Sequence, residues 1–209
     1  SIFGELRVAV GLTYRLNFGP DYSMQCLGCY KDPWTHGPCS NPGANSANQG
    51  QPQQAMLRNQ SDFVYTLDNL LMFTKEFAGV HRLEATGLYS IQQDRFTKDS
   101  LYASQLPYTS QLWYDLGSGV AGNNLSLISE WSLMSYMGRV NYRYNDRYSL
   151  SFVGRSDGSS RLAPGNKWAF FPSFGFAWQL GDEQFMRRVT WLEQLKLRAS
   201  YGTTGNTSV

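Results

Sequence analysis

Residues 132–180 read SLMSYMGRVNYRYNDRYSLSFVGRSDGSSRLAPGNKWAFFPSFGFAWQL, and their alternation decides the fold. In a first segment Met134, Tyr136, Val140, Tyr142 and Tyr144 share one side, and Ser135, Met137, Arg139, Asn141 and Arg143 the other. Asn145-Asp146 reads as a tight turn. A second segment sets Tyr148, Leu150 and Phe152 against Arg147, Ser149, Ser151, Arg155 and Asp157. After a polar loop from Gly158 to Asn166, a third sets Trp168, Phe170, Phe174, Phe176, Trp178 and Leu180 against Ala169, Ser173, Gly175, Ala177 and Gln179. A side-chain period of two is a β-strand. One face is apolar and aromatic, the other polar, small or charged. That is the pattern of a transmembrane β-barrel wall, apolar towards lipid and polar towards the lumen.

Composition agrees. The chain has 209 residues and a formal charge of +2, so charge points to no nucleic-acid or acidic partner. No apolar run reaches the roughly 18 residues of a membrane helix, whereas barrel strands need only about 9–11 each. Aromatics make up 15% of the chain, which suits interfacial girdles. Ser1-Ile2-Phe3-Gly4-Glu5 lacks the basic start and apolar core of a signal peptide. The chain reads as an internal piece of a longer one.

Outward from that stretch the same rhythm recurs. Leu6–Phe18 alternates strictly over thirteen residues and is expected to be one strand, ended by Gly19-Pro20. Asp21–Ser61 reads as a long loop rich in Gly, Pro, Asn, Ser and Gln. Phe63–Phe73 and Arg82–Gln93 are the next strands, joined by Thr74–Val80. Asp94–Glu130 reads as a second long loop. Gly181–Trp191 is a connection with one helical turn, capped by Asp182. Gln194–Gly202 is the last strand. The expectation is an all-β antiparallel meander of about seven strands, part of a large transmembrane barrel. Its longer loops would share one end and its short turns the other, as in bacterial barrels.

Several motifs compete for a chemical reading. Cys26, Cys29, His36 and Cys39 have the spacing of four zinc ligands. A disulfide in a surface loop with one cysteine left over, or free thiols, is the preferred reading, and a structural metal stays open beside it at this point. Gly154-Arg-Ser-Asp-Gly158 matches the G-x-S-x-G elbow, which requires a helix after the strand and a histidine downstream. A loop and another strand follow instead, and His36 and His81 both lie upstream. The bland reading is a strand end with Arg155, Asp157 and Arg161 pairing near the rim. No catalytic residue, metal ligand or cofactor site is assigned. Arg139, Arg143, Arg147, Arg155, Lys196 and Arg198 project to the polar side, for an internal ion network or for contact with substrate or a plug. Trp113, Tyr114 and Trp131 lie in or near the second long loop, to stack on sugars or to pack the loop.

Tyr136-Met-Gly-Arg-Val-Asn-Tyr-Arg-Tyr-Asn-Asp-Arg-Tyr148 resembles part of the barrel of SusC/RagA-type TonB-dependent transporters. So do Arg155–Arg161, Asn166-Lys-Trp168, Phe171-Pro-Ser173, Trp178, Leu195–Gly202 and Thr204-Gly-Asn206. The resemblance implies that residues 1–209 belong to the barrel domain, with the plug and remaining strands outside them. It implies active import of oligosaccharides or peptides across the outer membrane of a Gram-negative bacterium. Its partners would be TonB and a SusD-like surface lipoprotein. A passive porin-like barrel is one alternative. A soluble all-β carbohydrate-binding or hydrolase module is the other.

Overall fold

A computed structural model describes residues 1–32, 53–188 and 194–205. Nine strands form one sheet: β1 (Ile2–Ala9), β2 (Leu12–Lys31), β3 (Gln54–Phe77), β4 (His81–Ser104), β5 (Val120–Ala121), β6 (Leu125–Tyr144), β7 (Tyr148–Ser159), β8 (Trp168–Gln179) and β9 (Lys196–Gly202). Eight follow one another in chain order as an antiparallel meander, and the two-residue β5 pairs with β4 beside that path. Among the described residues β1 and β9 have one neighbour each, so the sheet is open.

The pairing confirms the side assignment. Tyr142 lies opposite Leu150, Val140 opposite Phe152, Phe152 opposite Phe174 and Phe174 opposite Tyr201. Partners across a ladder share a face. The apolar set of each strand therefore stacks on the apolar set of the next. Asn141 opposite Ser151, Ser151 opposite Gly175 and Gly175 opposite Ser200 build the other face in the same way.

The first expected strand is two strands. Leu6–Phe18 reverses at Val10-Gly11, so β1 pairs back on β2. The alternation concealed the reversal. An irregularity between Arg7 and Ala9 shifts the register, after which Leu6 pairs with Tyr14, Gly4 with Leu16 and Ile2 with Phe18. Each pair joins residues of like parity, so the apolar positions stay on one face through the turn. Gly11 makes the turn with φ of +76°, where its carbonyl accepts from Thr74 N at 2.7 Å. Asn145 and Asp146 both have positive φ, as a type I′ hairpin turn requires.

The two long loops are shorter than expected, because β2, β3, β4 and β6 run well past the apolar stretches that first marked them. Much of Asp21–Ser61 and Asp94–Glu130 is strand. The chain divides into two compact units. The first comprises Ser1–Pro20, Tyr65–Gln93 and Trp131–Val209, the second Asp21–Val64 and Asp94–Glu130. All five buried hydrophobic residues among the described ones, Ala55, Met56, Tyr102, Ala103 and Leu106, belong to the second. Ala55, Ala103 and Leu106 form its core, and Tyr30, Trp113 and Leu116 pack on it.

Candidate functional site: the two faces of the first unit

The apolar face carries two rows of rings. Near the short turns Phe77 stacks on His81 at 4.8 Å, His81 lies 5.0 Å from Tyr144, Tyr144 stacks on Tyr148 at 6.2 Å, and Tyr148 on Trp178 at 6.0 Å. The Tyr142 hydroxyl lies 2.7 Å from His81 Nδ1, so the imidazole is held within this row. Towards the other strand ends Tyr89 stacks on Tyr136 at 5.1 Å and Tyr136 on Trp168 at 5.9 Å. From Tyr136 to Tyr144 is about 26 Å along β6, or about 20 Å along the normal of a membrane in which strands tilt. Between the rows the face is aliphatic and phenyl: Val140, Leu150, Phe152 and Phe174 are all at least 41% exposed. Two amphipathic ring rows bracketing an apolar band are the geometry of interfacial girdles.

The opposite face is held by short polar bonds. Arg155 pairs with Asp157 at 2.8 Å, Arg82 with Glu84 at 2.8 Å, and Arg15 Nε with Glu5 at 3.0 Å. Ser90 Oγ donates to Asp68 at 2.6 Å. Arg139 Nε donates to Asn141 Oδ1 at 3.3 Å, and that oxygen also accepts from Ser151 Oγ at 2.9 Å. Arg82, Arg139, Arg143, Asn141 and Ser151 line a polar recess of about 270 Å³. Its guanidinium groups offer donors that suit carboxylate or hydroxyl oxygens.

Each cation and motif has a definite place. Arg155 joins the internal network. Arg143 reaches Asp146 in the turn at 3.7 Å. Lys196 lies opposite Gln179 and Arg198 opposite Ala177. Arg147 differs from the expectation. It sits in the turn after β6 and pairs with Glu183 at 3.7 Å. Arg161 also differs. Its guanidinium lies 4.4 Å over the Trp131 ring instead of joining Arg155 and Asp157. Gly154–Gly158 lies wholly within β7, and Ser156 is a ladder residue between Tyr136 and Phe170, so no nucleophile elbow forms. Trp113 packs on the second unit's core, and Tyr114 beside it is 79% exposed. Cys29 is disulfide-bonded and Cys26 is free and exposed, while His36 and Cys39 lie outside the described residues.

One constellation escaped sequence reasoning. The connection after β8 forms two 3-10 turns, Leu180–Asp182 and Gln184–Arg188. Asp182 ends the first instead of capping a single turn, and the residue that fastens the connection is Glu183. Its Oε1 accepts from the Tyr148 hydroxyl at 2.6 Å and from Trp178 Nε1 at 3.1 Å. The Tyr148 bond first, and then the Trp178 bond, hold the Glu183 carboxyl below the ordinary glutamate range. A glutamate directly after a capping candidate was the available signal, but its hydrogen-bond partners lie up to 35 residues away.

Comparison with known proteins agrees with this geometry. Residues 2–208 match the family described as TonB dependent receptor-like, beta-barrel. The chain belongs to this family. It is 32% identical over 202 residues to the TonB-dependent receptor P3 of Formosa agariphila, which covers 95% of this chain and 19% of that protein. It is 42% identical over 78 residues to the TonB-dependent receptor SusC of Bacteroides thetaiotaomicron, covering 37% of this chain and 8% of that one. The solved structure of the RagAB peptide transporter superposes with a TM-score of 0.84 at 22% identity, over 99% of this chain and 22% of that one. The SusC/RagA resemblance and the barrel-wall fold are thereby borne out. The chain spans about a fifth of the length of such relatives.

Proposed function

We propose that these residues form part of the barrel wall of an outer-membrane receptor that imports nutrient oligomers. The observation that carries this reading is the two-faced sheet: an apolar band between two aromatic rows on one side, ion pairs and small polar residues on the other. Family membership supports the location, since barrels of this type stand in the outer membrane. The plug and the remaining strands are assigned to the rest of the protein. Energy comes through TonB, and a SusD-like lipoprotein covers the outer mouth. The cargo is a glycan or peptide oligomer. RagAB is a peptide transporter, and it supports the peptide arm for this chain by analogy of fold. The receptor carries out no chemistry on its cargo and uses no cofactor.

The test is deletion of the full-length gene in its host, with growth scored on defined oligosaccharide and peptide mixtures. Slower growth on one class, matched by loss of TonB, supports import of that class. Normal growth on every oligomer overturns the reading.

A further inference from the structure

The apolar face is not smooth. A groove of about 630 Å³ is cut into it just inside the Tyr89–Tyr136 row, with Leu71, Tyr89, Tyr136 and Phe170 among its walls. Its floor is glycine. Gly138 lies opposite Gly154 in the β6–β7 ladder. Asn145 N donates to Val80 O, and seven residues on from each lie Gly138 and Gly87. Gly87 therefore sits across from Gly138, and the three run side by side over β4, β6 and β7.

These glycines differ in what a side chain on each would meet. A glycine in a strand is often covered by a neighbouring ring, and two here are. A side chain on Gly154 would stand 3.3 Å from the Phe170 ring, and one on Gly158 would strike the Trp168 ring at 2.8 Å. Among the described residues, nothing lies within 4 Å of where a side chain on Gly87 or Gly138 would stand, and none fills that space. Glycine in a strand interior gives up side-chain packing and costs conformational entropy, and it commonly marks the close approach of another molecule.

We infer that this groove seats one acyl chain of an outer-leaflet lipid. The inference rests on the membrane reading above. The groove lies between the two aromatic rows, hence at hydrocarbon depth, where acyl chains are the solvent. It presents no charge, and its Tyr14 hydroxyl is already spent on Asn69 Oδ1 at 2.7 Å, so little awaits a polar partner. The lining runs from β2 to β8, six strands of the meander. Five strand spacings make about 24 Å. The Tyr89–Tyr136 row crosses the same strands, so the path keeps beside that row on its hydrocarbon side. A flexible chain can follow such a long, shallow path, whereas a neighbouring barrel would need a matching ridge. A void left there would forfeit dispersion contacts along its whole lining.

The experiment uses the full-length receptor in lipid nanodiscs doped with a phosphatidylcholine spin-labelled on its acyl chain. The readout is the motionally restricted, slowly exchanging lipid population. Gly138→Leu places a side chain in the groove and should remove that population, while Val140→Leu, on the same face but outside the groove, should leave it. Gly87→Leu serves as the second filling variant should Gly138→Leu fail to insert. A restricted population unchanged by the inserted filling variants overturns the proposal and leaves the membrane reading intact. Loss of a dimer of receptors in those variants, with lipid unchanged, assigns the groove to a second copy and also overturns it. Failure of the unaltered receptor to insert as a heat-modifiable barrel overturns the membrane reading, and the groove proposal with it.

Discussion

The two units of this chain solve the same problem in opposite ways. The second unit buries Ala55, Met56, Tyr102, Ala103 and Leu106 to 6% exposure or less and packs Trp113 against them, as any water-soluble domain does. The first unit buries no hydrophobic residue to that degree among the described ones. It displays Phe152, Phe170, Phe174 and Tyr201 at 48–75% exposure instead. In water that face would be a large apolar patch. In a bilayer it needs no interior, because lipid plays the part of the core. The strands β2, β3, β4 and β6 contribute residues to both units.

The largest expected effect breaks the comparison outright. The 209-residue chain expressed by itself has β1 and β9 as open edges. Unpaired edge groups in lipid cost several kcal/mol each, and in water such edges template aggregation. The chain should sediment without detergent. A monodisperse, detergent-free monomer that unfolds cooperatively would mean that the first unit hides its apolar face after all.

Core substitution probes the second unit. Met56→Ala should cost about 2–5 kcal/mol locally. Hydrogen exchange in the full-length receptor should rise around residues 54–58 and 100–106, while membrane insertion persists. Loss of insertion instead would show that the two units do not fail separately.

Charge probes the first. Phe174→Arg or Phe152→Arg should cost about 2–4 kcal/mol near the midplane, and Ser151→Arg on the polar face much less. Folded receptor recovered in outer-membrane fractions checks this. Equal losses would reverse the assignment of faces.

These outcomes also bear on what was legible in the sequence. The faces of β6, β7 and β8 were readable because one side meets an apolar medium without interruption, so period two survives in the residue types. Parity also misled. An irregularity next to Val10-Gly11 kept apolar residues in phase through a reversal, and two strands read as one. The second unit was read as loop for a related reason. Its strands are covered on grounds of packing, not solvent, and Gln54-Ala-Met56 and Ser100-Leu-Tyr-Ala103 carry no clean alternation. The inner cations were identified as a class, but which would pair depended on register. Arg155 found Asp157 on its own strand, whereas Arg147 found Glu183 across a connection.

The smallest expected effect concerns the part of the first unit that does have a compact interior, and that interior is polar. Glu183, with its side chain 14% exposed, ties the connection after β8 to Tyr148, Trp178 and Arg147. Its carboxyl is held below the ordinary glutamate range, so the opened connection takes up a proton more readily than the closed one. The stabilisation is therefore full above the ordinary glutamate value and is lost as pH falls through the depressed one. Acidification over that window should raise hydrogen exchange in residues 180–186, with exchange beside the distant Tyr89–Tyr136 row unaffected. Glu183→Gln keeps an oxygen acceptor for the Tyr148 hydroxyl but removes both the titration and the charge facing Arg147. It should show somewhat faster exchange at neutral pH and no further rise on acidification. An acid-induced rise of the same size in Glu183→Gln would assign the sensitivity to another group.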